Sequence, residues 1–358
     1  MLLLTLRDLR HRAVRFAIVT FLTAVVLALL FLMTGLVEQF RREPHDAVDR
    51  IGGTAWVLPE GVSGPFTATA TLPADVATAV DAPAGTTTAP VVVGRGSLAT
   101  GTPGTGDPSD ADEVVVIGHR VDELGAPEIA EGRGVTGPGE IVVDRTAEVD
   151  VGDVVALNGA PFTVVGLVED ATILAGLPLV FVELGDAQDL VFQTRAVVSA
   201  VLVDGPIDAA LPPGTRLASS DSVAEDALDP LENAITSVDL IRVLLWVVAG
   251  IIVGAVVYLS ALERQRDFAV LRAVGSPIRT LTAGLAVQAV LVALVAVVLA
   301  AGLQWLLRPA FPLRVRVPAR AYWQVPSVAV VLALVAGTAG MRQVSRADPA
   351  SAFAGPGG

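Results

Sequence analysis

Four apolar segments, Phe16 to Val37, Val243 to Leu262, Leu281 to Leu307 and Val325 to Met341, frame the acidic stretch 38–240, and this spacing constrains the fold more than any other feature of the chain. A membrane-spanning helix needs about 20 predominantly apolar residues, which the first three segments supply. The fourth has 17 residues and reaches a spanning length if Tyr322 and Trp323 extend it; Pro326 lies near its start, where helices accept proline. One such helix would suit a soluble core equally well. Four of them, in a chain with 53% hydrophobic residues, indicate a membrane protein.

The first segment follows Arg7, Arg10, Arg12 and Arg15, as a signal peptide would. Its 22 residues exceed the roughly 7 to 15 of a signal-peptide core, and no small-x-small site precedes Glu38-Gln39-Phe40-Arg41, so it is expected to remain as an anchor. Short flanks rich in arginine stay on the cytoplasmic side. Four Arg precede the first segment, Arg264, Arg266, Arg272 and Arg279 lie between the second and third, and Arg342 and Arg346 follow the fourth. Arg308, Arg314, Arg316 and Arg320, between the third and fourth, argue the other way. Ten against four places both termini in the cytoplasm and 38–240 outside, in a multi-pass protein of the cell membrane. Charge partition agrees: 38–240 holds 33 acidic residues against 9 Arg, a net −24, while the remainder carries a net +11. Anionic membrane lipid attracts the second part and repels the first. No basic patch with interleaved aromatics points to nucleic acid.

The chain has neither cysteine nor lysine. Disulfides, thiol catalysis and thiolate metal sites are therefore excluded, and a domain of this size can build its core without them. A phosphate-binding GxxxxGK[ST] loop is impossible as well, so the chain does not hydrolyse ATP by that route and reads as non-catalytic.

The resulting expectation is an α-helical membrane protein with four transmembrane helices and a mixed α+β extracytoplasmic domain inserted between helices 1 and 2. A basic flank (1–15) precedes the first span (16–37); the external domain with its stalk helices (38–240) leads to the second span (241–262). An inner loop (263–280), third span (281–307), short external loop (308–323), fourth span (324–341) and cytoplasmic tail (342–358) complete the chain. Within the external domain, Thr54 to Leu58, Phe66 to Leu72, Ala89 to Val93, Glu113 to Gly118, Glu140 to Val143, Pro178 to Glu183 and Ser199 to Val203 read as strands rich in Val or Thr. Asn158-Gly159 between Gly152 to Leu157 and Pro161 to Val168 accepts the positive φ of a type I′ turn, predicting a β-hairpin. Helices are expected at Ala74 to Val80 and Gly185 to Phe192, and Gly94 to Asp112 reads as a Gly/Thr/Pro/Asp loop.

Asp229, Pro230 and Glu232 fit N-cap, first and third helical positions, and Leu231, Ile235 and Val238 form an apolar stripe. One continuous helix from about Pro230 through Leu262 follows, its outer turns a stalk above the membrane. Glu38 to Ile51 is a candidate partner stalk, interrupted at Pro44. Gly250-Ile-Ile-Val-Gly254 has GxxxG spacing and Ala336 to Gly340 is small-xxx-small, patterns that let helices approach closely and that also arise by chance in such segments. Gln288 is the one amide read as lying in a membrane core, and no ionisable residue sits mid-span, which argues against proton- or ion-coupled transport.

Several motifs reduce to local structure. Gly132 to Gly137 matches GxGxxG and Gly94 to Ala99 matches GxGxxA, but Pro138-Gly139 and Thr-Gly-Thr-Pro follow where a dinucleotide site needs a helix. His11, His45 and His119 are too scattered for zinc and read as solvated. There is no Gly-x-Ser-x-Gly elbow and no Asp-x-Asp-x-Asp calcium loop.

What remains is the inner loop, Glu263-Arg264-Gln265-Arg266-Asp267-Phe268-Ala269-Val270-Leu271-Arg272-Ala273-Val274-Gly275. Phe268, Leu271 and Val274 line one side of a short helix that Gly275 can close before Ser276-Pro277 starts the next. Such a helix either lies on the lipid surface or forms a docking surface for a cytosolic partner.

This loop resembles that of the permease subunit of ABC transporters of the MacB/FtsX family, in which it reads E-R-x-[RK]-E-[IF]-x-x-L-[RK]-A-x-G-A; Glu263, Arg264, Arg266, Leu271, Arg272, Ala273 and Gly275 match, with Asp267 in place of Glu and Pro277 a further departure. The hairpin from Val151 to Gly159, the N-terminal Leu-Arg-Asp-Leu-Arg and the ending Arg342 to Phe353 are similar to the same family. The resemblance implies a homodimer or pseudo-dimer bound to two copies of a separate P-loop ABC ATPase. That ATPase would hold ATP and Mg, and this chain would bind no cofactor. It further implies that the loop rests on the ATPase and that hydrolysis moves stalks and external domains. On that resemblance, coupling falls to Glu263, Arg264, Arg266, Asp267, Arg272 and Gly275. Gly250 and Gly254 are candidates for helix packing. Four-helix members of this kind, including the DevC type, are often called export permeases, some working with an adaptor. The alternative is an FtsX-like, non-transporting regulator of a cell-wall hydrolase; a receptor with no ATPase is a third class.

Overall fold

Helix α1 (Ala13–Ile51) is a single helix of 39 residues that carries the chain out of its first apolar segment and into the inserted domain. It continues through Pro44, where an interruption was expected: Phe40, Ala47, Val48 and Ile51 are buried, and this packing outweighs the one main-chain hydrogen bond that proline removes. The computed structural model describes residues 13–80, 83, 85–100, 111–206, 211–263, 278–307 and 317–345. The chain divides into two units, one of Met1–Gln39 with Ile235–Gly358 and one of Phe40–Ala234.

The described residues of the second unit form thirteen strands, β1 (Ala55–Pro59), β2 (Leu72–Pro73), β3 (Thr87–Thr100), β4 (Asp112–His119), β5 (Glu131–Gly132), β6 (Glu140–Asp144), β7 (Val154–Leu157), β8 (Ala160–Val168), β9 (Thr172–Ile173), β10 (Leu177–Glu183), β11 (Val197–Val198), β12 (Ala200–Asp204) and β13 (Thr215–Ser219). The main sheet runs β13-β1-β12-β3-β4-β10-β6-β8-β5. It is mixed: β4 with β10 and β6 with β8 are parallel, the other pairs antiparallel. Its central strands are apolar on both sides, as strands covered on two faces must be. Period-two alternation sorts them. Val57, Val92, Val116, Val180, Val182 and Val201 join one core, with Leu184 and Ala187 of α3 (Leu184–Val191) beside them. Trp56, Leu58, Val91, Val93, Ile117, Phe181 and Leu202 join the other, which also holds Ala47, Val48 and Ile51 of α1. A short helix, α2 (Val76–Ala79), packs in the first core.

The Asn158-Gly159 hairpin forms, both residues having positive φ (50° and 82°), and the Asn158 side-chain oxygen Oδ1 accepts from the Ser97 main-chain N–H at 2.8 Å. Two expectations fail. Gly94 to Thr100, read as loop, is the second half of β3 and pairs with β4 and β7, while 101–110 lies outside the described residues. Its glycines mark close packing: a Cβ on Gly94 would stand 2.5 Å from Val191 of α3. Phe66 to Leu72, read as strand, is turn, bend and irregular chain as far as Thr71, with Phe66 in an edge contact with Trp56 at 6.1 Å; Leu72 alone of that segment pairs, in β2.

The chain leaves this unit through α4 (Ser220–Leu228), a 3-10 turn over Asp229–Leu231, and α5 (Glu232–Glu263). The cap is Ser219, whose hydroxyl accepts from the Ser222 N–H at 3.2 Å; Asp229, expected at the cap, is already helical at φ −49° and ψ −47°. Burial of Val223, Ala224 and Ala227 carries the helix upstream, and Pro230 tightens the junction without ending it.

The first unit contains most of α5, together with α6 (Ile278–Leu307) and α7 (Ala321–Ser345). Among the described residues, three helices are long and apolar enough to cross a membrane, within Ala17–Ile51, Ser220–Ala255 and Ala286–Leu307; the apolar helix Ala321–Val335 is shorter. Alanine lines their shared core: Ala24 and Ala28 of α1, Ala249 of α5, Ala293, Ala296 and Ala300 of α6, and Ala329 and Ala333 of α7. Small side chains let backbones approach where no hydrophobic effect drives association.

Gly118 of β4 tests the packing of α3 on the sheet, since an added Cβ would fall 2.2 Å from that of Ala187. Gly118→Ala is expected to destabilise the full-length chain by about 1–3 kcal/mol in thermal-shift measurements. Gly137→Ala, where a Cβ would meet open space, should leave the midpoint unchanged.

Candidate functional site

The charged loop of residues 263–280 begins where α5 ends. Glu263 is the last residue of that helix; Arg264, Arg266, Asp267, Arg272 and Gly275 lie outside the described residues. The helix that delivers the loop is therefore the describable part of this site. Gly250 of α5 stands opposite α7, and a Cβ there would meet Leu332 at 3.5 Å, an ordinary contact. Gly254 is half-buried one turn on. Leu240, Leu244, Val247 and Ile251 recur at four, three and four residues and are exposed, so this stripe of α5 is available to lipid or to another helix.

At the start of α7 a polar cluster appears that the apolar pattern gave no reason to expect. Arg320 donates to the Glu38 carboxylate of α1, which is 7% exposed. The Tyr322 hydroxyl donates to the side-chain oxygen of Gln304, a fully buried second amide in α6, and the Tyr322 ring lies 5.4 Å from that of Phe31. Trp305 and Trp323 are exposed beside this cluster, the placement aromatic residues take at a membrane–water boundary. Glu38 and Arg320 are each unremarkable in sequence, being 282 residues apart, and only the fold joins them.

In the inserted domain the described residues include no cluster of three or more metal-ligating side chains. His119 was read as solvated and is not: at the end of β4 it is 2% exposed, its Nδ1 lies 2.9 Å from the Arg120 carbonyl oxygen, and its Nε2 has no partner. The reason is the chain segment at Gly125, which passes so close that a Cβ there would be 2.9 Å from that of His119. Burial pushes the imidazole below its ordinary value, against the Arg120 carbonyl and the Glu183 carboxylate, which raise it. His45, in α1, is half-buried with Nδ1 3.2 Å from the Arg41 carbonyl oxygen, and His11 lies outside the described residues.

An unfolded chain accepts a proton at His119 near pH ~6.5 that the folded chain refuses, so stability is full above that value and declines as pH falls below it. The thermal midpoint of the full-length chain should drop between about pH 7.5 and about pH 5.5. His119→Gln should flatten that slope; an equal slope in both would show that another group carries it.

Comparison with known proteins covers both units. Residues 16–219 match the MacB-like periplasmic core domain, and residues 240–349 match the C-terminal region of FtsX-like permeases. Uncharacterized ABC transporter permeases of Mycobacterium bovis and Mycobacterium tuberculosis are 37% identical to the chain over 99% of its length and 100% of theirs. A second permease of M. tuberculosis is 36% identical over the same shares. Among solved structures, the periplasmic region of MacB from Actinobacillus actinomycetemcomitans aligns with 51% of this chain and 96% of its own, at 15% identity and a TM-score of 0.36.

Proposed function

We propose, since the chain belongs to the family of ABC transporter permeases with a MacB-like periplasmic core domain and an FtsX-like C-terminal region, that it is the non-catalytic membrane subunit of an ATP-driven complex for export or mechanical transmission. A separate cytosolic P-loop ATPase binds ATP and Mg, and two copies of this chain pair in the cell membrane with both termini in the cytoplasm. The inserted domain then stands outside. The observation that carries this reading is the helical path from Ser220 to Glu263, which runs from the inserted domain to the first residue of the charged inner loop. A helix has every interior backbone group bonded within itself, so it survives lipid and transmits displacement along its axis. The Arg320–Glu38 pair supports the orientation, because one of the four arginines that argued against it is locally neutralised.

Coupling is assigned to Glu263, Arg264, Arg266, Asp267, Arg272 and Gly275. The charged residues fix register on the ATPase, and Gly275 is the glycine at which this chain matches the family's loop pattern. Arg272→Glu or Gly275→Val is expected to leave membrane insertion intact and to abolish stimulation of ATP hydrolysis in nanodiscs with a partner P-loop ATPase. Unchanged ATPase binding and stimulation in both variants would contradict the docking role.

A further inference from the structure

Beyond Val37, helix α1 continues to Ile51 with a buried face on which Phe40, Glu43, Ala47 and Ile51 recur at three- and four-residue spacing. Glu43 is the polar member of that face and is 3% exposed. Its two carboxylate oxygens take different donors: one accepts the Gly176 N–H at 2.7 Å, the other the Ala175 N–H at 3.2 Å. The Thr172 side chain is a third partner. Burial raises the Glu43 pKa and the nearby Asp144 adds to the rise, while these three hydrogen bonds lower it.

The donors come from an unusual turn. Leu174, Ala175 and Gly176, which join β9 to β10, have φ of 54°, 70° and 100°. Leucine and alanine seldom adopt left-handed backbone. Here consecutive N–H groups converge on one acceptor, the arrangement by which main chain binds anions. The same segment is held at its other end by Asp144, fully buried, which accepts the Ala171 N–H at 2.7 Å and the Thr146 N–H at 2.9 Å. β10, which the turn starts, sits between β4 and β6 in the sheet. Hydrophobic packing of Ala47 and Ile51 would suffice to bury the helix. It does not explain a carboxylate that chelates a left-handed turn at the head of a central strand.

We propose that Glu43 is the positioning residue through which α1 moves the inserted domain: its carboxylate fastens the membrane-spanning helix to the β9–β10 turn, and so to strand β10. This rests on the ATPase-driven reading above. Glutamine at this position keeps the shape but offers one acceptor and turns an NH2 group toward a main-chain donor, so it breaks the clamp without opening a cavity.

The test is amide hydrogen exchange on the full-length chain in nanodiscs with its ATPase, with and without ATP and orthovanadate. In the nucleotide-free chain, Glu43→Gln should lower protection of the Ala175 and Gly176 amides about tenfold while β3 and β4 stay protected. In the wild type, ATP and orthovanadate should change exchange across 171–177 and in α5; in Glu43→Gln the change across 171–177 should vanish and that in α5 remain. Nucleotide-free protection equal to wild type, or a retained response across 171–177, would overturn the clamp. A wild-type chain with no nucleotide response in α5 would instead contradict the ATPase-driven reading, and the nucleotide-free comparison would still decide the clamp. If Glu43→Gln does not fold, Thr172→Val, which removes one partner and preserves shape, decides in its place: reduced protection at 175–176 supports the proposal and wild-type protection overturns it.

Discussion

Lipid offers no hydrogen-bond partner to a peptide group, so whatever crosses it must satisfy its own backbone, and in this chain that condition produces uninterrupted helices. Its consequence reaches beyond the apolar segments. Helix α1 runs 39 residues to Ile51, and among the described residues the helical path from Ser220 continues to Glu263, so the segments that enter and leave the inserted domain are both helical. Proline occurs in both segments, at Pro44 inside α1 and at Pro230 in the 3-10 turn that joins α4 to α5.

The inserted domain takes the ends of both helical segments into its own core. Its central strands are apolar on both faces, and the face that carries Trp56, Val91, Ile117 and Phe181 shares a core with the last turns of α1 and with α4. The stalk residues are therefore part of the domain's own interior. Burial of this kind stabilises a Leu, Val or Ile side chain by about 1.5–3 kcal/mol, enough that a few such contacts fix the helix ends. In the other unit, alanine does the corresponding work by admitting close backbones, and the polar ties at one end of the helices, Glu38 to Arg320 and Tyr322 to Gln304, add direction to an otherwise featureless apolar surface.

Much of this was legible from residue type and spacing. Apolar length marked the helices, and the Asn158-Gly159 pair marked its hairpin because few other pairs accept two successive positive φ values. The misreadings share a cause. Gly94 resembles a loop residue until Val191 of α3 is seen to occupy the space a Cβ would need, and Gly96 until Val116 of β4 is; Asp229 resembles a cap until the upstream apolar residues are seen to be buried; His119 resembles a surface histidine until Gly125 is seen to cover it. In each case a long-range neighbour overrides a local rule. The clamp at Glu43 is illegible for the same reason, since its donors lie 132 and 133 residues away and act only in a left-handed turn that nothing in Leu174-Ala175-Gly176 announces. The charged loop after α5 shows the opposite balance: its residues carry the family pattern in sequence, and helix α5 supplies the path that leads to them.

The account stands on one claim, that nucleotide bound by a partner ATPase changes the position of the inserted domains. The absence of cysteine makes this directly measurable, because Val151→Cys, at an exposed position, introduces a single thiol for a spin label. Electron–electron distances between the two labels of a paired complex in nanodiscs should shift when ATP and orthovanadate are added, and the shift should disappear when Arg272→Glu is introduced. A distance distribution that is the same with and without nucleotide would contradict the account.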